Sequence, residues 1–458
     1  MVTYDAIIIG TGQAGPALTR RLVAACWQVA IVERALFGGT CVNTGCTPTK
    51  ALVASAYAAH VARCAADYGV KVEGAVNVDM KAVKARKDAV VASSRNGVER
   101  SLKTLKGCTV YEGHGHFVAE KRVAVNGSEL AADRIFINVG ARATIPPIPG
   151  LDRVPYLTNS SMMDVDFLPS HLIILGGSYV GLEFAQMYRR FGSEVTVIEL
   201  ASRLIPREDT DVSQAVAAFL REEGIDVRVD SKVVGVEKHR DSITVKVESP
   251  VKIWQVVGTH VLVAIGRRPN TDDLGLDKAG IATDGRGYIQ VDDQLRTNVP
   301  GIWAMGDCNG RGAFTHTSWN DFEIVAANLL DNDQRRVSDR ITAYALFTDP
   351  PLGRAGMTEA EVRKTGRPAL ISTKAMEDVS RAYEKGETKG FMKILVDQDS
   401  KQILGASFLG LAGDEVIHCI LDLMYAKAPC TVMQRAMHIH PTVSEFIPTM
   451  MGDLVPLQ

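Results

Sequence analysis

The chain has 458 residues, 46% of them apolar and 23% charged, with a formal net charge of −2. Such a length suits two to four domains rather than one core. The near-neutral charge leaves no basic footprint for nucleic acid and no polybasic surface for a membrane, and no apolar run reaches the roughly 18 residues of a membrane span.

The N-terminus, "MVTYDAIIIG", carries no basic leader and opens almost at once on a strand pattern, so a cytoplasmic protein is expected. Ala6–Ile9 reads as a buried strand. "GTGQAG" follows, with Gly10, Gly12 and Gly15, then a helical stretch and a second strand, "QVAIVER", ending at Glu33. Glycines at 10 and 12 allow a tight turn and close approach of a pyrophosphate, and Gly15 lets the helix pack on the sheet. Glu33 lies 23 residues after Gly10, where an acid can hold an adenosine ribose.

Next comes "FGGTCVNTGCTPTK", with Cys41 and Cys46 five apart. Eight cysteines in such a chain are too few for a disulfide scaffold, so a close pair points to redox or metal chemistry. On one regular helix the two α-carbons would stand about 8.6 Å apart, beyond the ~7 Å a disulfide tolerates. A bridge therefore needs Cys41 off that helix. Gly45 supplies the dihedral freedom, and Pro48 suits a first helical turn that puts Cys46 near a helix N-terminus, where a thiolate is stabilised. Zinc needs about four ligands, and none accompany the pair, so no residue is assigned to a resident metal. A redox disulfide is the favoured reading over a metal pair or structural thiols. Cys26, Cys64, Cys108, Cys308, Cys419 and Cys430 read as small buried hydrophobes.

The first pattern recurs 166 residues later. "HLIILGGSYVGLEFA" holds a strand, then Gly176, Ser178 and Gly181, and "EVTVIEL" ends in Glu199, again 23 residues after its first glycine. One such motif is a weak signal, but two in full strand–helix–strand context imply two dinucleotides. Ser178 in place of the middle glycine weakens the second match slightly. The second unit must interrupt the first. Glycine-bearing strand ends at Gly140 and Gly266 mark the crossovers, and "GIWAMGDCNG" marks the return, with Gly306 and Asp307 after the strand Ile302–Ala304. An acid there needs a hydrogen-bond donor, such as a ribityl hydroxyl. A helix is expected to start near His316, which reads as a direct contact or a cap. Residues 341–458 form a separate α/β region, with strands near 345–349, 391–397 and 402–409 and helices near 413–427 and 443–451. There "HIHPTVSEF" places His440 five residues before Glu445, and a carboxylate on one imidazole nitrogen raises the basicity of the other.

Taken together, the motifs resemble those of the class I pyridine nucleotide–disulfide oxidoreductases, the group of lipoamide dehydrogenase, glutathione reductase and mercuric reductase. The resemblance runs from residue 3 to about 450, and "GGTCVNTGCTPTK" is similar to the family's redox-active segment. It implies two Rossmann-like domains, for FAD and NAD(P), plus a C-terminal dimerisation domain. The segments expected are 1–148 and 272–340 for FAD, 149–271 for NAD(P) and 341–458 for the interface. It further implies that Cys46 lies against the flavin as a charge-transfer thiolate, with Cys41 the outer thiol. Lys50 and Glu183 would form an ion pair beside the flavin, and Tyr179 an aromatic gate over the nicotinamide. His440 and Glu445 would reach the other subunit's site in a homodimer. Gly39, Thr40 and Lys50 join the FAD contacts.

Over much of its length the chain looks similar to mercuric reductase-like flavoproteins, a group that includes enzymes of reactive-chlorine and hypothiocyanous acid resistance. It departs from mercuric reductases in ending "MMGDLVPLQ" without a Cys-Cys pair, in starting without a metal-binding CxxC domain, and in having His440 where they have tyrosine. "HPTVSE" and Glu199 resemble lipoamide dehydrogenase, and Glu199 favours NADH by repelling a 2′-phosphate, although Arg203 and Arg207 stand close by. The expectation is an NAD(P)H-dependent, FAD-containing reductase of a small disulfide, a reactive sulfur or halogen species, or a soft metal ion. The alternatives are dihydrolipoyl dehydrogenase and a non-catalytic flavin-binding assembly subunit.

Overall fold

A computed structural model describes residues 1–457. The strand Val2–Ile9 lies at the centre of the first sheet, between parallel neighbours Val29–Glu33 and Ser128–Ile137, with Cys108–Glu112 and Ile302–Ala304 extending the parallel run. Ala6–Ile9 is buried on both faces, as parallel strands covered by helices must be. Residues 302–304 pair with 135–137, so the chain returns to its first sheet after a long excursion.

That excursion is a second parallel sheet, ordered Asp226–Arg228, Glu194–Ile198, His171–Leu175, His260–Val263 and Tyr156–Leu157. A three-stranded antiparallel sheet, Lys232–Lys238, Ile243–Glu248 and Ile253–Gly258, is inserted before its strand His260–Val263. The outgoing and returning crossovers, Ala141–Ala143 and Arg267–Pro269, pair antiparallel as a two-stranded ribbon.

The third unit is a six-stranded sheet ordered Ala343–Leu346, Leu352–Gly356, Ile403–Leu409, Phe391–Asp397, Ala369–Ala375 and Val455–Pro456, with the helix Gly413–Tyr425 packed on it. Buried charges join it to the second unit. Arg354 pairs with Glu208, and both side chains are almost wholly buried. Lys393 lies within 3.2 Å of Asp209, Asp211 and Glu359. Charges this buried require partners, and removing one strands the others.

Three local expectations need correction. The strand expected at 345–349 runs Ala343–Leu346, because Asp349, Pro350 and Pro351 turn the chain instead of extending it. The helix expected at 443–451 is a 3-10 turn, Ser444–Phe446, followed by the helix Ile447–Gly452. Of the six scattered cysteines only Cys308 and Cys430 are buried; Cys26 is exposed in a left-handed turn after the helix Ala14–Ala24.

Candidate active site

Gly38 and Gly39, both at positive φ, lead into a short helix, Gly39–Asn43, that carries Thr40 and Cys41. The chain then breaks at Thr44–Gly45, and Cys46 opens a second helix, Cys46–Arg63. A side-chain carbon on Gly45 would lie 2.8 Å from the Thr40 carbonyl, so the break needs glycine. The break takes Cys41 off the helix of Cys46. Both are free thiols in this structure.

The pair is electrostatically asymmetric. Cys46 is pulled down to about 6, first by the hydrogen bond from Cys41, against burial, then by a hydrogen bond from Thr315 and the charge of Lys50. Thr315 Oγ1 lies 3.2 Å from Cys46 Sγ and opens the helix Thr315–Leu330. Cys41 is pushed well above the ordinary thiol range, first by its hydrogen bond to Cys46 and then by burial. Both shifts favour the thiolate on Cys46 and the proton on Cys41.

One turn into the same helix, Lys50 Nζ lies 2.9 and 2.8 Å from the two oxygens of Glu183, whose side chain is only 7% exposed. The Phe347 N–H donates to Glu183 Oε1 at 3.2 Å, and Lys50 Nζ stands 4.3 Å from the Phe347 ring centre. Three units thus converge within one turn of Cys46.

The two glycine turns superpose in their hydrogen bonds. Gly10 donates to Val32 and Gly176 to Ile198, at 2.8 and 2.9 Å. Glu33 accepts from the Thr11 and Ala35 N–H groups at 3.0 and 2.9 Å, and Glu199 accepts from those of Gly177 and Ala201 at 2.6 and 2.7 Å. Gly15 and Gly181 each pack so that an added side-chain carbon would meet the carbonyl of Gly10 or Gly176. Gly39 abuts Gly12, so the cysteine segment sits on the first turn. Gly140 and Gly266, at φ of +67° and +139°, have open space where a side chain would stand.

Asp307 is mostly buried, with Arg267 Nη2 at 3.3 Å, and burial raises its carboxyl above the usual range. His316 donates from Nε2 to the Ala343 carbonyl at 2.8 Å and stacks on Phe314. Tyr179 opens the helix after Ser178 and packs edge-on against Phe314 and Tyr344. His440 Nδ1 meets both oxygens of Glu445 at 3.0 Å. The imidazole is 73% exposed, and within one chain neither residue of the pair hydrogen-bonds to Cys41 or Cys46.

Residues 4–321 match the family model described as pyridine nucleotide-disulphide oxidoreductase, and residues 342–451 match its dimerisation domain. The chain belongs to that family. It is 36% identical over 453 residues to a probable pyridine nucleotide-disulfide oxidoreductase, RclA, of Escherichia coli, covering 97% of this chain and 98% of that protein. A mercuric reductase of Streptomyces lividans is 34% identical, with 96% and 94% covered. A dihydrolipoyl dehydrogenase of Thermus scotoductus is 32% identical, with 97% and 96% covered. The solved Cu(II) complex of the HOCl-induced flavoprotein disulfide reductase RclA superposes with a TM-score of 0.90 at 35% identity, covering 99% of each chain.

Family members use FAD and a pyridine nucleotide, and the residues here fit both. Asp307 has acceptor capacity that Arg267 alone does not fill, and Arg267 Nε is itself buried without a partner among the described residues. Thr315 and Asn138 escaped the sequence reading. Asn138 Oδ1 accepts from Gly15 N–H at 3.1 Å and its Nδ2 donates to the Met305 carbonyl at 3.0 Å, tying the first turn to the segment that carries Asp307. The "INVG" strand end was visible, but nothing in it pointed to residue 305.

Proposed function

We propose that this flavoprotein takes electrons from NADH and delivers them through the Cys41–Cys46 pair to a small acceptor, a disulfide or an oxidised sulfur, halogen or soft-metal species. The observation that carries the reading is the geometry of the dithiol: Cys46 opens a helix with Thr315 at 3.2 Å and the Lys50–Glu183 pair one turn on, and Cys41 stands off that helix on the short segment before it. When bound, FAD supplies the two-electron relay between nicotinamide and sulfur. Gly10, Gly12, Gly15, Glu33, Gly39, Thr40, Gly140, Gly306, Asp307 and the turn of His316 line its place. Lys50, held by Glu183, keeps a positive charge beside Cys46. Gly176, Ser178, Gly181, Gly266 and Glu199 receive the nicotinamide nucleotide, with Tyr179 as its gate.

Two electrons and one proton turn the bridge into the Cys46 thiolate and the Cys41 thiol. Cys41, losing its proton to His440 of the partner subunit, attacks the acceptor's sulfur and displaces one thiol. Cys46 then attacks Cys41, displaces the second thiol and re-forms the bridge. Glu445 holds the His440 tautomer. Exposure of Met437 and Ile439 beside His440, at 98% and 80%, supports a homodimer in which this segment is covered. Glu199 favours NADH. Arg203 is occupied by Thr210 and the Pro206 carbonyl rather than turned toward a 2′-phosphate. A reversible dithiol suits a reducing compartment such as the cytoplasm.

A panel of lipoamide, glutathione disulfide, mercuric ion, cupric ion and hypothiocyanite tests the reading. Cys41→Ser is expected to drop turnover of every disulfide acceptor to background while NADH oxidation by quinones persists. Undiminished disulfide turnover would refute the outer-thiol role. The His440–Glu445 pair also suits the opposite direction, oxidation of dihydrolipoamide by NAD⁺; fast flavin reduction by dihydrolipoamide would favour that second reading.

A further inference from the structure

Three rings stand in a column beside the second dinucleotide turn. His316 stacks on Phe314 with centroids 5.3 Å apart, and Phe314 stacks on Tyr344 at 5.7 Å, with interplanar angles of 10° and 17°. The Tyr179 ring stands across the column, edge-on to Tyr344 at 5.4 Å and to Phe314 at 5.9 Å. Edge-to-face contacts of this kind are attractive beyond the area they bury. The column does not move freely. Tyr344 donates its hydroxyl hydrogen to Glu208 Oε1 at 2.7 Å, and Glu208 is buried in its ion pair with Arg354. The loop bearing Glu208 is fastened to the dinucleotide turn, since the Ile205 N–H donates to the Gly177 carbonyl at 2.9 Å. Tyr179 is half-buried against these rings, and its hydroxyl oxygen is buried with no hydrogen-bond partner among the described residues. The fixed rings favour this position of Tyr179, and its orphaned hydroxyl opposes it.

We propose that Tyr344, moored to Glu208, is the fixed stop against which Tyr179 closes over the nicotinamide pocket, and that this contact sets how tightly the nicotinamide nucleotide binds. Tyr344 and Glu208 are positioning residues, and the proposal rests on reading Tyr179 as the gate. The nucleotide must displace Tyr179 before its ring can stack. Whatever holds Tyr179 closed therefore raises the apparent Kd by the reciprocal of the open fraction. The two hydroxyls then act in opposite directions. Removing the mooring of Tyr344 loosens the closed state and tightens binding. Removing the orphaned hydroxyl of Tyr179 stabilises the closed state and weakens binding.

The test uses FAD-loaded enzyme and two readouts. Calorimetry with 1,4,5,6-tetrahydro-NAD, which cannot donate hydride, gives a Kd, and stopped-flow reduction by NADH gives a Kd and a limiting rate. Tyr344→Ala is expected to lower both Kd values about tenfold, and Tyr344→Phe, which keeps the ring and the fold, about threefold. Tyr179→Phe is expected to raise both about threefold. The changes should fall on Kd rather than on the limiting rate. Unchanged or raised Kd in Tyr344→Phe overturns the proposal. If Tyr179→Ala shifts Kd while the Tyr344 variants do not, the mooring fails and the gate stands; if Tyr179→Ala shifts nothing, the gate reading itself fails.

Discussion

At the middle of the first dinucleotide turn stands Gly12; at the same place in the second, 166 residues on, stands Ser178. The opening glycine and the closing acid make the same backbone bonds in both turns, whereas the helix starts differ: Leu182 N–H bonds the Ser178 carbonyl, and its counterpart Pro16 has no N–H to give. The difference lies in a neighbour. A side-chain carbon on Gly12 would come within 2.9 Å of Asn138 Oδ1. The residue that takes the place of Asn138 in the second unit is Ala264: Asn138 N–H bonds Ile9 and Ala264 N–H bonds Leu175, each at 2.8 Å. Alanine leaves room for the serine. The first turn gives up a side chain to gain a clamp, since Asn138 also grips Gly15 and Met305. The second has no such clamp and closes under the loop of Ile205 instead. A turn clamped by a side chain suits a cofactor that stays, and an unclamped one suits a nucleotide that comes and goes.

The comparison breaks hardest at the opening glycines. Gly10 and Gly176 hold φ of +105° and +113°, and a side-chain carbon on either would lie 2.3 or 2.5 Å from a carbonyl oxygen. Gly10→Ala should cost about 3 kcal/mol or more at its turn and yield protein without flavin absorbance. Gly176→Ala should keep its flavin and lose reduction by NADH. Equal flavin loss in both would erase the distinction between the two turns.

A double-mutant cycle sharpens the account of Gly12. Gly12→Ser alone should lose flavin. Asn138→Ala alone should cost about 1–3 kcal/mol of stability by removing its two buried bonds, to the Gly15 N–H and the Met305 carbonyl. Combined, they rebuild the second turn's arrangement and should recover about 1–2 kcal/mol relative to the sum, read from denaturant melts. Strict additivity would show that Asn138 and residue 12 do not compete for space. The smallest effect is expected at Glu199, where Glu199→Gln should move the NADPH/NADH ratio of kcat/KM about tenfold toward NADPH, or 1.4 kcal/mol. An unchanged ratio would remove Glu199 as the determinant.

Much of this was legible locally. The paired glycine turns, Glu33 and Glu199, and the two cysteines are short motifs with a fixed mechanism, and the need for Cys41 to leave the helix of Cys46 followed from geometry alone. What stayed hidden depends on contacts between distant segments. Thr315 meets Cys46 across 269 positions, and Tyr344 meets Glu208 across 136. A threonine at a helix start and a glutamate in a loop carry no local sign of such partners. The strand Ala343–Leu346 ends before the expected 349 because Phe347 turns its N–H to Glu183 and Asp349, Pro350 and Pro351 turn the chain.

The central claim is that electrons entering this protein rest on the sulfurs of 41 and 46. Anaerobic titration of the flavin-loaded enzyme with NADH, followed by alkylation and peptide mass analysis, tests it directly. The first equivalent is predicted to leave most of the 450 nm absorbance in place, to raise a long-wavelength band, and to expose two new thiols per chain, at Cys41 and Cys46. Bleaching of the flavin by that first equivalent with no gain of thiols would contradict the account.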